Sequence, residues 1–161
     1  MYRGSSFLLQ HAYTVHRGMI DLLAAERYDA LWNTEFGASK TDEGFLPDIG
    51  DLIKSIRQVY EPFAPAHRSG QPTDTLITKI IFGTFGCLPA VDRYFISGFK
   101  RDRLKYSRLN SRFIERVLDF SLANLPELRR AQADIVRRGG TRYPLMKLVD
   151  MYFWRRGFQR N

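Results

Sequence analysis

The sequence predicts an all-α fold, built as a single compact domain of six to seven helices. Apolar residues recur at spacings of three and four along most of the 161-residue chain, which is the period of an α-helix. The chain has no run of alternating apolar and polar residues bounded by turn residues, the pattern typical of strands. Its hydrophobic content of 44% suffices for a folded core, and a chain of this length can bury one without disulfides.

The N-terminal part, residues 1–62, is predicted to be an acidic helical pair. An apolar stripe predicts the first helix within residues 5–26, and a short helical turn is expected around residues 28–32. Residues 33–44 are polar, contain two glycines and lack periodicity, so we expect a loop there. The second helix begins near Pro47, because proline is favoured in a first helical turn, and it ends before the next proline.

The rest of the chain is predicted to be a connecting loop, residues 63–72, followed by a basic helical part, residues 73–161. The loop prediction follows from its proline content. Thr73 is expected to cap the most hydrophobic helix, which we place at the centre of the fold. Pro89 is expected to open the next helix, and the sequence leaves open whether residues 107–111 interrupt it.

Two further helices complete the predicted bundle. One follows Pro126 and ends at the glycine pair 139–140, and the last starts at Pro144. The acidic helical pair is expected to pack on the basic bundle.

Cysteine content and hydropathy indicate the cellular compartment of the chain and exclude some kinds of site. Cys87 is the only cysteine, so neither an intrachain disulfide nor a Cys/His zinc framework can form. We expect no metal site, no cofactor and a reducing, intracellular location in the cytoplasm. The longest uncharged stretch near the middle, residues 80–91, is too short to span a bilayer, so no membrane partner is predicted.

Charge is distributed unevenly along the chain, whose net charge is +8. Residues 1–62 carry six basic against nine acidic side chains, a net charge of −3, whereas residues 63–161 carry a net charge of +11. Of the 25 basic residues 19 are arginines, whose planar guanidinium groups bind phosphate in a bidentate way. The sequence therefore predicts that the basic part binds nucleic acid or another polyanion.

A stripe of basic residues is the candidate binding surface. If residues 101–116 form one helix, the spacings of three and four place five cationic side chains on one face. These are Arg101, Lys105, Arg108, Arg112 and Arg116, and Arg137, Arg138 and Arg142 would extend the patch. The neighbouring aromatic residues Tyr94, Phe95, Tyr106 and Phe113 are of the kind on which the bases of a single strand stack, if they are exposed.

Two other interpretations of the basic residues remain open at this point. The paired arginines can form ion pairs with acidic residues of the N-terminal helices, which would leave less charge for a ligand. Alternatively, the chain is a protein-interaction module whose basic part docks an acidic partner or the acidic part of a second copy.

A catalytic alternative rests on Lys79 and Asp92. The segment 86–95, Gly-Cys-Leu-Pro-Ala-Val-Asp-Arg-Tyr-Phe, resembles a segment of the helix-hairpin-helix DNA glycosylases. The resemblance implies that Asp92 activates the nucleophile and that Lys79 is the Schiff-base amine, although the Gly-x-Gly hairpin of that family is missing. Without it, Asp92 is simply an acidic residue near a helix N-terminus, where the helix dipole and a nearby arginine stabilise it.

Other catalytic patterns are weak. The sequence has no phosphate-binding loop motif, no nucleophile elbow and no His-Glu-x-x-His helix. His67 is the one candidate acid or base on a loop, Cys87 is expected to be buried and inert, and the acidic residues between 42 and 51 are expected on a solvated loop and helix start. We therefore favour a binding domain over an enzyme.

Overall fold

A computed structural model describes residues 12–32, 35–63 and 72–159, and all of their regular elements are helices. The predicted all-α fold is thus confirmed, with no strand in these ranges. The predicted number of helices was slightly off, because short 3-10 helices accompany the α-helices. The α-helices are α1 (Arg17–Leu23), α2 (Leu46–Tyr60), α3 (Asp74–Thr84), α4 (Arg93–Arg101), α5 (Ser111–Ala123), α6 (Leu125–Arg137) and α7 (Leu145–Phe158). The 3-10 helices are Tyr13–His16, Glu26–Trp32, Lys40–Phe45 and Glu61–Phe63.

The N-terminal helices follow the predicted order. Of the helix predicted within residues 5–26, α1 and a preceding 3-10 turn are present, and residues 5–11 lie outside the described ranges. The predicted loop is partly helical, because Asp42 organises the start of a 3-10 helix: its Oδ2 accepts hydrogen bonds from the backbone N–H groups of Gly37 (2.6 Å) and Ser39 (3.2 Å). Asp42 is therefore a buried structural residue and not part of a solvated acidic group.

The core lies between α2 on one side and the C-terminal helices on the other. On α2 the residues Ile49, Leu52 and Ile56 are fully buried, and this helix packs on α3 and α5. Thr73 caps α3 as predicted, since its hydroxyl oxygen accepts a hydrogen bond from Leu76 N (3.2 Å). Four phenylalanine rings from three helices form the centre of the C-terminal bundle, in mutual contact at centroid distances of 5.0–6.2 Å: Phe95, Phe99, Phe113 and Phe153.

Helices α4 and α7 cross in unusually close contact at two glycines. A Cβ atom at Gly98 would clash with the carbonyl oxygen of Phe153, and one at Gly157 would clash with the carbonyl oxygen of Tyr94. The pairing of 94 with 157 and of 98 with 153 runs in opposite directions, so the helices are antiparallel. Only glycine permits this backbone approach.

The structure corrects the predicted helix boundaries around α4. Pro89 does not open the helix, which starts four residues later because the Oδ1 atom of Asp92 caps it. The helix also does not continue to residue 116: it ends at Arg101, and α5 begins after Asn110, whose side chain accepts a hydrogen bond from Phe113 N (3.0 Å). The basic residues between 101 and 116 therefore do not form a stripe on one helix.

Ion pairs join the acidic and the basic parts of the chain. Glu35 binds both Arg129 and Arg142, the latter at 3.0 Å, and Arg57 binds Asp74 at 2.6 Å. Of the paired arginines, Arg129 thus binds an acidic N-terminal residue, but Glu35 lies in a turn and not in one of the N-terminal helices as that interpretation expected. Arg142, which is not one of the paired arginines, binds the same carboxylate.

None of the helices in the described ranges has the length and hydropathy of a membrane span.

Candidate nucleic-acid interface

The segment between α4 and α5, residues 102–110, is tied to the core by one carboxylate. We call this segment the basic loop. Asp74, at the start of α3, accepts hydrogen bonds from the hydroxyl of Tyr106 (2.5 Å) and the backbone N–H of Leu109 (2.8 Å), both in the loop. It also accepts one from Arg57 Nη2 of α2 (2.6 Å). One side chain therefore fixes the loop against two helices.

The protonation of these groups reflects their mutual contact. Burial alone would raise the pKa of Asp74, but the hydrogen bonds from Tyr106, Arg57 and Leu109 outweigh it, so the pKa lies below its ordinary value. Burial and the adjacent carboxylate raise the pKa of Tyr106. The Asp74 network therefore holds a carboxylate and a neutral phenol at neutral pH.

The second residue of the basic loop has a left-handed backbone conformation although it is not glycine. Arg103 has a φ of 61°, in the region that usually requires glycine after a helix. Its N–H donates to the carbonyl of Lys100 (3.0 Å), and the N–H of Leu104 donates to that of Phe99 (3.0 Å). These two bonds close the C-terminus of α4 and turn the chain sharply, so Arg103 projects from the turn at a cost in backbone energy of about 1 kcal/mol.

We expect Arg103→Gly to raise stability and lower polyanion affinity together. Glycine removes the left-handed strain, which should stabilise the fold by about 1 kcal/mol, and it also removes an exposed cation. Thermal unfolding and fluorescence anisotropy with a labelled oligonucleotide measure the two effects. In the control Arg103→Gln the strain remains, so affinity should fall without a gain in stability. Unchanged affinity in both variants would show that Arg103 is not a binding residue.

Five exposed cationic side chains lie on or beside the basic loop: Lys100, Arg103, Lys105, Arg108 and Arg112. Within the described part of the chain none of them forms an ion pair. The one acidic residue of the loop, Asp102, is already bound by Arg156 (2.8 Å) and by the hydroxyl of Tyr152 (2.7 Å). A concavity of about 500 Å³ opens among Lys100, Arg103, Lys105 and Tyr106. The basic loop is therefore held by hydrogen bonds to α3 and α5, and its cations have no ion-pair partner among the described residues.

Of the eight predicted binding residues, three lie at the basic loop, four make contacts within the protein, and one, Arg138, lies elsewhere on the surface. Lys105, Arg108 and Arg112 belong to the cationic surface just described. Lys100 and Arg103 also belong to it and were missed, because a straight helix places them off the predicted stripe. Arg138 caps the C-terminus of α6 and is exposed.

The other predicted binding residues make intramolecular contacts. Arg101 Nη1 donates to the carbonyl oxygens of Arg156 and Gln159 (both 2.8 Å), which closes the C-terminus of α7. Arg116 donates to the carbonyl of Lys105 (2.6 Å) and so supports the basic loop. Arg137 pairs with Asp134 at 2.7 Å, and Arg142 pairs with Glu35. These four arginines therefore make contacts within the protein, although the side chains of Arg137 and Arg142 remain 76% and 64% exposed.

Of the aromatic residues predicted to stack on bases, three face inward. Phe95 and Phe113 are in the core, and the hydroxyl of Tyr106 is bound to Asp74. Tyr94 alone lies at the surface, where it contacts Trp154 and Phe158 of α7. Trp154 and Phe158 were not among the predicted residues. The sequence signal for them is their spacing of four residues on the last helix.

Lys79 and Asp92 occupy a different region from the basic loop. Asp92 Oδ1 accepts hydrogen bonds from the backbone N–H groups of Tyr94 and Phe95 (both 2.9 Å), so it is a helix cap. Both residues lie within electrostatic reach of Asp150, a buried carboxyl on α7 that accepts a hydrogen bond from Ala90 N (3.0 Å). Burial raises the pKa of Asp150 to about 6, against the opposing effect of Lys147. In the structure Asp92 is the N-terminal cap of α4.

Each remaining histidine or cysteine is buried, is hydrogen-bonded within the protein, or lies outside the described residues. Cys87 is buried, and desolvation raises the pKa of its thiol to about 12, as expected of an unreactive cysteine. His16 Nδ1 is hydrogen-bonded to the hydroxyl of Tyr60 (2.9 Å), and His67 lies outside the described ranges. In the described part of the chain, no cluster of three or more His, Cys, Asp and Glu side chains could hold a metal ion.

Comparison with family models, curated proteins and solved structures found no significant match to this chain.

Proposed function

We propose that this protein binds nucleic acid, or a polyanion of similar charge density, through the basic loop and its flanking residues. The observation that carries the proposal is the set of five exposed cations without an ion-pair partner among the described residues. Unpaired cations grouped on one surface repel each other, which costs stability unless a ligand supplies the opposite charge. A phosphate backbone supplies it at regular short intervals.

The rigidity of the basic loop supports the same function. Asp74 accepts a hydrogen bond from the second half of the loop, and backbone hydrogen bonds to α4 hold its beginning. Arg116 donates a hydrogen bond to the carbonyl oxygen of Lys105. Side chains that project from a fixed backbone lose less conformational entropy on binding than those of a free tail. Three of the five cations, Arg103, Lys105 and Arg108, lie on this short segment, and Lys100 and Arg112 flank it, so that phosphates a few ångströms apart can be bound together.

The test is a triple substitution on the basic loop, Arg103→Gln, Lys105→Gln and Arg108→Gln. The proposal expects the affinity for a fluorescent oligonucleotide to fall about a hundredfold at low salt, because three phosphate contacts are lost. The slope of log affinity against log salt should become shallower by about 2 to 3, since each lost contact releases fewer counterions. Fluorescence anisotropy over a salt series measures both quantities.

The matched control carries the same change of charge elsewhere: Arg17→Gln, Lys40→Gln and Lys54→Gln, three exposed residues of the N-terminal part. If net charge alone determined binding, the two triple variants would lose equal affinity, which would contradict a site at the basic loop. A wild-type protein that binds neither DNA, RNA nor heparin at low salt would contradict the proposal altogether.

A further inference from the structure

Three aromatic side chains at the surface form a preassembled group that the fold does not require for its core. We call Tyr94, Trp154 and Phe158 the aromatic platform. The rings of Trp154 and Phe158 are stacked, with centroids 4.8 Å apart and an angle of 10° between their planes. Tyr94 meets both rings edge-on at 5.4 Å. Trp154 is 39% exposed and Phe158 54% exposed, so large apolar faces remain open to water.

Cationic groups surround the aromatic platform. The guanidinium of Arg93 lies over the Tyr94 ring at 4.5 Å and donates to its hydroxyl at 2.6 Å. Arg155 lies beside Trp154 at the edge of a groove of about 780 Å³ between α6 and α7, which Glu127 and Asp150 also line. Arg101 reaches the end of α7 next to Phe158. Arg93 of α4 therefore contacts the platform directly, and Arg155 lies next to it on the side of α7 that faces α6.

The aromatic platform and the basic loop lie at the two ends of one helix. Tyr94 is in the first turn of α4, and Lys100 and Arg101 are in its last turn, roughly 10 Å away at the helical rise. The close packing at the two glycines of the α4–α7 crossing holds Trp154 and Phe158 of α7 against Tyr94 at the start of α4. The separation of the two surfaces along α4 is therefore one that a few nucleotides can span.

We propose that the aromatic platform stacks the unpaired bases of a single-stranded nucleic acid whose phosphates are bound by the basic loop. This proposal rests on the proposed function and narrows it from polyanions in general to single strands. A polyanion without bases cannot use the exposed ring faces, and a duplex hides the faces of its bases inside the stack. Adjacent cations and open aromatic faces are the combination by which single strands are bound with little sequence preference.

The experiment compares the wild-type protein with Trp154→Ala. Binding of a fluorescent oligothymidine of about 20 nucleotides is measured by anisotropy, beside a duplex of the same length and heparin. We expect the wild type to prefer the single strand, and Trp154→Ala to lose about tenfold to a hundredfold in affinity for it while duplex and heparin binding are unchanged. Trp154→Phe, which keeps a stacking ring, should recover most of the affinity.

Trp32→Ala is the matched control, because Trp32 is also exposed (53%) but contacts Phe85 in another part of the fold. In a Trp32→Phe background, the fluorescence of Trp154 should be quenched when the oligothymidine binds, which reports stacking directly. Equal binding of single strand and duplex, with no effect of Trp154→Ala, would overturn this inference and leave the proposed function intact. Binding to none of the three ligands would overturn both.

A third outcome would assign the platform to a different partner. If the free protein self-associates in light scattering, and Trp154→Ala abolishes this without weakening single-strand binding, the platform is a protein interface and the inference is wrong.

Discussion

Gly98→Ala is expected to destabilise the protein by about 3 kcal/mol or more, which is a large share of the total stability of a domain of this size. A Cβ atom at this position would meet the backbone carbonyl of Phe153, and backbone atoms of a packed helix cannot move aside as a flexible side chain can. The α4 and α7 helices would have to separate along their whole contact. Chemical denaturation followed by circular dichroism measures the loss.

Gly50→Ala is the control for this prediction. Gly50 is in the interior of α2, and a Cβ atom there would meet no other atom within 4 Å. Alanine should therefore stabilise the helix by about 0.5–1 kcal/mol, through its lower entropy cost. The close crossing would be contradicted if Gly98→Ala unfolded at the same denaturant concentration as the wild type.

The second large effect is expected from Asp74→Ala. This change leaves Tyr106, Arg57 and Leu109 N without their common acceptor, and we expect a loss of about 3 kcal/mol at pH 7. Because the pKa of Asp74 is lowered in the folded protein, its contribution is complete above the ordinary value of 3.8 and is lost as the pH falls below it. The variant should therefore lose less stability than the wild type on acidification below pH 4.

Asp74→Ala also separates the role of loop geometry from the role of charge. The substitution makes the protein more positive, so charge alone would strengthen polyanion binding. The proposed site predicts the opposite, because the basic loop loses its attachment to α3. Tyr106→Phe is the milder control, expected to cost about 1 kcal/mol through one lost hydrogen bond. Tighter oligonucleotide binding by Asp74→Ala, measured by anisotropy below its unfolding temperature, would show that the loop need not be held.

The periodicity of the sequence was sufficient to predict most helices. The stripes of α2 and α3, the cap at Thr73, Pro126 in the first turn of α6 and Pro144 just before α7 are local features, and the structure has all four of these helices. The boundary of α4 could not be found in this way. Asp92 and Pro89 are both acceptable near a helix start. The segment between them is held by residues distant in the sequence, since the hydroxyl of Thr78 accepts a hydrogen bond from Val91 N (2.9 Å) and Asp150 accepts one from Ala90 N (3.0 Å).

The candidate site was only partly predictable for the same reason. Clustering of arginines in the C-terminal part is visible in composition, but which of them are paired depends on contacts between distant residues. Glu35 and Arg142 are 107 positions apart, and Asp74 and Tyr106 are 32 apart. The turn at Arg103 was hidden because a left-handed arginine has no sequence signature comparable to glycine.

Lysine reactivity in the presence of ligand shows most directly whether nucleic acid binds at the basic loop. Each lysine is acetylated in the free protein and at saturation with a single-stranded oligonucleotide, and its reaction rate is read by mass spectrometry. Lys100 and Lys105, at the basic loop, should be strongly protected, whereas Lys40 and Lys54, exposed in the N-terminal part, should react as in the free protein. If the acetylation rates of Lys40 and Lys54 fell while those of Lys100 and Lys105 stayed the same, the ligand would bind elsewhere and not at the basic loop.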